Sequence, residues 1–472
     1  MKAKLLSVAA VVVALAAPAQ ALASGGAGGA QAALQNATTA QAALGASVSS
    51  QNAVNANVPV TIAGGNVTAG PSSATQTATS TAMTTVSNMA DTKQNQNLNQ
   101  NLGSSGCQVG CGGAGGFQAG IQDAQTQQAA VGTSKSDQNA VNANVPVTIA
   151  GGNVKSGSSS ATQTATSNAT TNVSNKAKTD QDQQQHQNTG GSSCVAGCGG
   201  AGAYQAGLQD ASTKQVALGA SKSDQNAVNA NVPVTIAGGN VNSGSSSATQ
   251  TATSNATTNV SNKAKTDQDQ QLNQNIGGSS CVAGCGGAGG FQAGVQSAQT
   301  QQFAAGAALS NQNAVNGNAP STVAGGNVWS GPSTASQTAN SSATTNVSND
   351  AKTHQNQQLN QDLGGKSCGC DGRKDSSDKS KGCSVGCGGN GGFQLGVQLA
   401  DTKQWAAGIA LSNQNAVNSN APHTTAGGNV YGGASNAGQT AGSTGTTGVT
   451  NTARTHQNQG KVPTPVWEAL SN

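Results

Sequence analysis

QNAVNANVPVTIAGGNV, residues 51–67, decides how this chain is read. The same letters return unchanged at 138–154 and 225–241, and looser versions, QNAVNGNAPSTVAGGNV and QNAVNSNAPHTTAGGNV, stand at 312–328 and 414–430. Successive copies lie 87, 87, 87 and 102 residues apart, so the chain is a repeat array whose unit is 87 residues long. The longer last interval carries an insertion, GCDGRKDSSDKSKGC, beside the cysteines of the fourth copy. The units run 31–116, 117–203, 204–290, 291–392 and, truncated, 393–459, with a Gly-rich leader at 24–30 and a tail at 460–472.

Inside the block, Val54, Ala56, Val58, Val60 and Ile62 alternate with Asn55, Asn57, Pro59 and Thr61. Alternation of this kind marks a strand with one aliphatic face. Pro59 lacks an N–H, which places this strand at an edge or makes it begin pairing there, and Ala63-Gly64-Gly65-Asn66 supplies a turn. One strand cannot bury an aliphatic face by itself, whereas copies stacked on one another can bury it jointly. The expectation is therefore that Val58, Val60 and Ile62, with Val145, Val147, Ile149, Val232, Val234 and Ile236 in the next copies, form the self-association surface.

Three further stretches fill each unit. FQAGIQDAQTQQAAVG at 117–132 fits helical spacing through Phe117, Ile121 and Ala124 and strand spacing through Phe117, Ala119 and Ile121, and pattern alone leaves both open. SSATQTATSTAMTTVSNMA at 72–90 sets Ala74, Ala78, Ala82, Val86 and Ala90 four apart. Its Thr, Ser and Asn content disfavours a helix interior, and as a strand it has one small-residue face with Gln76 and Asn88 and one Thr-rich face. KQNQNLNQNLG at 93–103 alternates Asn with Gln and Leu, a pattern suited to stacked amide ladders. Polar, low-complexity stretches of this kind also fit a disordered linker. Phe117, Tyr204, Phe291 and Phe393 fall at one phase of the repeat, which suggests a packing point between neighbouring units.

Composition restricts the fold class. Only 34% of the 472 residues are hydrophobic, nine are aromatic and 65 are Gly. A globular core relies on Leu, Ile, Val and Phe, and most of the apolar share here is Ala. The fold class that remains is all-β: a β-solenoid or stacked array of strand repeats with flexible Gly-rich, Cys-containing junctions, partly disordered. Charged residues make up 8% and the net charge is +4. Without clustered Lys and Arg interleaved with aromatics, a nucleic-acid partner is not expected.

The first 23 residues read as a secretory signal: Lys2 and Lys4, an apolar run from Leu5 to Ala17, then Ala21-Leu22-Ala23 before Ser24. The run is shorter than the roughly 20 apolar residues of a membrane span, and an exported chain without a membrane anchor is expected. Cys107, Cys111, Cys194, Cys198, Cys281, Cys285, Cys368, Cys370, Cys383 and Cys387 all lie at unit junctions. In an exported chain these are disulfide candidates, as small C-x-x-x-C rings or as bonds between pairs or molecules. Four thiolates can bind zinc, but the usual C-x-x-C spacing is absent, so no metal or other cofactor is assigned. GCGGAG at 110–115 and 197–202 matches G-x-G-x-x-G only within a glycine-rich linker. His186, His354, His423 and His456 occupy only three units, and no nucleophile and base recur together, so no catalytic site is expected.

VPVTIAGGNV, with Asn52 and Asn55 upstream, resembles the V-P-V core of the chaplins, small secreted proteins that assemble into amyloid-like surface films. It departs at Ala63, where that family carries a cysteine. The Gln/Asn alternation is similar to curlin repeats. Both resemblances imply surface coating or fibre formation. The expected function is that of a secreted, non-enzymatic structural or cell-surface protein (layer, coat, fibre or biofilm matrix) that self-associates through its strands. The alternatives are an adhesin-like, glycan- or ice-binding array using rows such as Thr75, Thr77, Thr79 and Thr81, with cell-surface components or glycans as partners, and a disordered secreted matrix protein.

Overall fold

A computed structural model describes residues 28–102, 106–109, 115–190, 193–196, 202–277, 280–283, 289–363, 367–368 and 391–460. Among them there is no helix. The first unit shows the plan: a long strand β1 (Gly28–Asn57), short strands β2 (Val60–Ala63) and β3 (Val67–Thr68), a long returning strand β4 (Ser72–Leu102) and a short junction strand β5 (Gly106–Val109). Each later unit repeats this plan, apart from the junction strand that would follow the last. The chain is thus an all-β stacked repeat array.

Equivalent strands of successive units pair in parallel and in register, giving four five-stranded sheets and a four-stranded junction sheet. Gln51 lies beside Gln138 and Thr75 beside Thr162, so each residue's neighbour is its own equivalent one repeat away. A long strand of 30 residues spans about 100 Å, while five rungs stack over only about 20 Å. The two long sheets lie face to face. Ala43, Ala130, Ala217, Ala304 and Ala406 from the first pack on Val86, Val173, Val260 and Val347 from the second. Ala53, Ala140, Ala227, Ala314 and Ala416 meet Ala78, Ala165, Ala252 and Ala339.

Small residues let the sheets approach this closely. A Cβ on Gly132 would stand 2.8 Å from Val173 Cγ2, and one on Gly219 would stand 2.8 Å from Val260 Cγ2. The 72–90 stretch is a strand with Ala74, Ala78, Ala82, Val86 and Ala90 buried. The 117–132 stretch, open between helix and strand by pattern, is also strand. Pro59 sits in the first rung at the corner between β1 and β2, and pairing of the short strand begins just after it. Its carbonyl accepts from Val147 N–H at 2.8 Å, and its missing N–H falls where the strand breaks.

At the far tip, Gly151 N–H donates to Ala63 O (2.9 Å) and Asn153 N–H to Asn66 Oδ1 (2.7 Å). A Cβ on Gly151 would come within 2.6 Å of Gly64 O, and one on Gly152 within 2.5 Å of Asn66 Oδ1. Backbone rests directly on backbone there. This accounts for the Ala-Gly-Gly-Asn common to all five copies.

Stacking covers the aliphatic face of the opening block only in part, because that face points outward. Val54, Val58, Val60 and Ile62 are exposed, and the polar alternates face inward: Asn142, Asn144, Asn229 and Asn231 are fully buried. Asn57 Nδ2 donates to Ser72 Oγ (3.0 Å) and to Asn144 Oδ1 (2.9 Å), and Asn55 Nδ2 to Thr75 O (3.1 Å) and Asn142 Oδ1 (2.9 Å). A satisfied amide network fits the narrow space between the sheets, and a row of Val and Ile would not. The apolar core of the tip is instead Val67, Val154, Val241 and Val328, packed with Ala150, Ala237 and Ala324.

Candidate functional site

No cleft gathers reactive groups among the described residues, and no group of three or more metal-ligating side chains occurs among them. What the fold offers is an interior of ladders, two different outer faces and two open ends.

The ladders begin with Gln. Gln118 Nε2 donates to Gln31 Oε1 (3.1 Å), Gln205 to Gln118 (2.9 Å), Gln292 to Gln205 (2.8 Å) and Gln394 to Gln292 (2.9 Å). The Gln35 and Gln41 columns repeat this pattern, as do Gln94 and Gln96 on the second sheet. In each, the later unit donates to the earlier one. The second amide hydrogen of many of these groups goes to a carbonyl across the core: Gln122 Nε2 donates to Asp182 O (3.0 Å) and Gln209 Nε2 to Asp269 O (2.9 Å). Interior Asn columns run the other way, with Asn142 Nδ2 donating to Asn229 Oδ1 (2.9 Å) and Asn88 Nδ2 to Asn175 Oδ1 (3.1 Å), while outer Asn columns such as Asn139 to Asn52 run with the Gln. The stack therefore has a direction, written in the orientation of its side-chain amides.

The aliphatic residues singled out from sequence lie at the corner after the first long sheet and on the short sheet of β2 and its equivalents, with their side chains facing outward. Val58, Val60 and Ile62 are 54%, 58% and 71% exposed. Val145, Val147, Ile149, Val232 and Val234 are half-buried by the neighbours stacked on them, and Ile236 is exposed. The aromatics at the phase singled out from sequence stack on the outer face of the first long sheet, as do Phe303 and Trp405 at a second phase, while Trp329 and Tyr431 stack on the short sheet of β3 and its equivalents. Phe291 and Phe393 lie 5.4 Å apart, Phe303 and Trp405 4.3 Å and Trp329 and Tyr431 5.6 Å, all near-parallel. Trp329–Tyr431 was not singled out from sequence, although its two members share a repeat phase.

The outer face of the second long sheet is polar. Thr77, Thr164, Thr251, Thr338 and Thr440 form one column. Lys–Asp pairs two residues apart decorate both outer faces, Lys135–Asp137 at 2.6 Å and Lys265–Asp267 at 2.5 Å, with Lys178–Asp180 equivalent to the latter. Hydrogen bonding to these aspartates raises the pKa of Lys135 and Lys178 above the ordinary lysine value. Burial, then the stacked carboxylate of Asp210, raises Asp123, and burial followed by Asp269 raises Asp182. Stacking identical acids has a cost, and the column through Asp182 returns to Asn at Asn95, Asn356 and Asn458.

At the junctions, Cys107, Cys194, Cys281 and Cys368 occupy one register position of the four-stranded sheet. Cys111, Cys198, Cys285, Cys370, Cys383 and Cys387 lie outside the described residues, as do residues 1–23, where a secretory signal is expected. His354 and His456 sit beside each other on the outer face, ring centroids 5.4 Å apart.

The two ends are bare. On the first unit, open space faces Gly64, Gly65 and Gly70, where Gly151, Gly152 and Gly157 meet the rung before them. On the last, Gln394 Oε1 and Asn418 Nδ2 hold the positions through which, in every earlier unit, the next rung binds. Compared with protein-family models, curated proteins and solved structures, the chain matches none.

Proposed function

We propose that this is an exported structural protein that assembles end to end, the last rung of one copy receiving the first rung of the next, to build a fibre, coat or matrix. The observation that carries this reading is the complementarity of the two bare ends. Placed one rung beyond Gln394, Gln31 of a second copy meets a free Oε1 with its Nε2, and Asn55 meets the amide of Asn418 with its Oδ1. The long edge strands repeat the same match in backbone N–H and C=O groups. Open edges of this length are templates for further pairing, and a head-to-tail contact of this kind does not close on itself. The export leader, the low charge and the resemblance to film-forming surface proteins support placement outside the cell.

The test uses glycines whose only neighbour would be another copy. Open space faces Gly64 and Gly70 in the single chain, while Gly151, one rung on from Gly64, would put a Cβ 2.6 Å from a carbonyl oxygen. The double variant Gly64→Ala, Gly70→Ala should fold and melt like the wild type but fail to elongate, measured by light scattering and electron microscopy. Gly317→Ala, whose Cβ also meets nothing but which faces outward within the fourth unit, should elongate normally. Equal elongation by the double variant and the wild type would contradict end-to-end assembly.

A second reading has its own observation, the Thr column on the outer face of the second long sheet. A regular hydroxyl array of this kind suits a glycan or an ice surface. Glycan-array binding or inhibition of ice recrystallisation by the soluble chain would favour it, and pure scaffolding is silent in both.

A further inference from the structure

The outer face of the first long sheet is unlike the polar face opposite, and its apolar content rises toward the last unit. Along 391–420 the outward positions carry Phe393, Leu395, Leu399, Trp405, Ile409 and Leu411, each between 44% and 58% exposed. Asp401 and Lys403 stand among them as an ion pair at 3.2 Å. Soluble proteins rarely leave so much contiguous apolar surface free. We infer that this face pairs with the same face of a second copy, about a two-fold axis running along the stack.

The order of the residues selects that arrangement. The row is symmetric about Thr402: counting outward, Leu399 corresponds to Trp405, Leu395 to Ile409 and Phe393 to Leu411. At the centre, Asp401 corresponds to Lys403. A two-fold axis parallel to the stack at the level of Thr402 reverses the strand direction of the second copy and keeps rung opposite rung. Each apolar side chain then meets an apolar partner, and Asp401 of each copy meets Lys403 of the other. The same axis passes Thr300, Thr213, Thr126 and Thr39 in the earlier rungs, which share one register column.

Most pairs in those rungs agree, with Asp123 and Asp210 set against Ala129 and Val216 as exceptions. In the first, Leu34 faces Leu44. In the third, Leu208 faces Leu218, and Tyr204 faces Lys222, a cation above an aromatic ring. No charged residue meets one of like sign in any rung. The span 393–411 across five rungs is a face of about 1,400 Å² per copy from strand and rung spacing, above the roughly 800 Å² per partner of a specific interface.

This pairing goes beyond end-to-end growth and is separable from it. The face contact closes at two copies, whereas the end contact is an open series. The axis lies along the stack, so both can coexist as two parallel strands of one fibre.

The test uses the full chain carrying Gly64→Ala and Gly70→Ala, so that end joining does not mask the result, and reads mass by sedimentation velocity at micromolar concentration. The parent should be a dimer. Asp401→Lys alone sets cation against cation, and Lys403→Asp alone sets anion against anion. Each should weaken dimerisation about tenfold or more. Both positions are surface-exposed, so folding is retained and is checked by circular dichroism. Mixing the two single variants should restore dimers, since every contact across the axis is then of opposite sign, and the double swap should dimerise with itself. A monomeric parent overturns the proposal. So does a dimer indifferent to both single swaps, or an equimolar mixture no tighter than either variant alone. Loss of end growth in the unblocked chain leaves these outcomes unchanged.

Discussion

Replacing Gln209 with leucine should cost about 1–3 kcal/mol of unfolding free energy, a large loss for a change that adds hydrophobicity and nearly conserves volume. Gln209 is fully buried at the middle of the stack. Its Nε2 donates to Gln122 Oε1 and to Asp269 O, both at 2.9 Å, and its Oε1 accepts from Gln296 Nε2 at 2.9 Å. Leucine leaves Gln122 Oε1 without its donor, while Gln296 Nε2 keeps Gln268 O (3.2 Å) and Asn356 O (3.0 Å), and one such buried orphan costs about 1–3 kcal/mol. Asn139→Leu removes an amide from the same kind of ladder, but on the outer face. Water can replace the lost bond there, so the cost should stay within about 0.5 kcal/mol. Chemical denaturation of the two variants reads the difference directly. Equal, small losses would mean that the interior amides do not hold the core.

The second large effect concerns the number of units. A single unit, residues 117–203, should show a coil spectrum and no cooperative melt. Its two long strands face each other across the core, and the sheet hydrogen bonds run to the units before and after, not between those two strands. Without neighbours the long strands lose their ladders on both sides. The facing contacts that remain are mainly Ala, Gln, Ser and Thr, which cannot offset the ordering of a chain this long. Stability should then rise steeply with each added unit, as nearest-neighbour arrays do, and cooperative folding should begin at about three. Far-UV circular dichroism on chains of one, two, three and five units checks this. A single unit that melts cooperatively as a monomer would contradict it.

Much of this architecture was legible in the residues. The 87-residue recurrence gave the rung, the small-residue face of 72–90 gave a buried strand face, and the alternation in 93–103 gave amide ladders. The side of the opening block that faces inward was not legible. Hydropathy points Val58, Val60 and Ile62 to the interior, because it weighs each residue alone. Burying Asn55 and Asn57 becomes favourable only once an identical Asn lies one rung away and a carbonyl lies opposite, and that information is in the pairing of units. The stretch at 117–132 was ambiguous for a related reason: its buried alternates, Gln118 and Gln122, carry no hydrophobic signal. The symmetry of the outer row about Thr402 is written plainly in the last unit but has no meaning until the strand is known to be straight and its odd positions exposed.

The central claim, that order arises between units and not within them, is tested most directly by amide hydrogen exchange resolved along the intact end-blocked chain. Protection should be greatest in the strands of the middle unit, Gly202–Asn231 and Ser246–Ile276, and fall toward Gly28–Asn57 at one end and Ser435–Gln459 at the other. The two long strands of a given unit should be protected alike. Equal protection in all five units, as private interiors would give, would contradict the account.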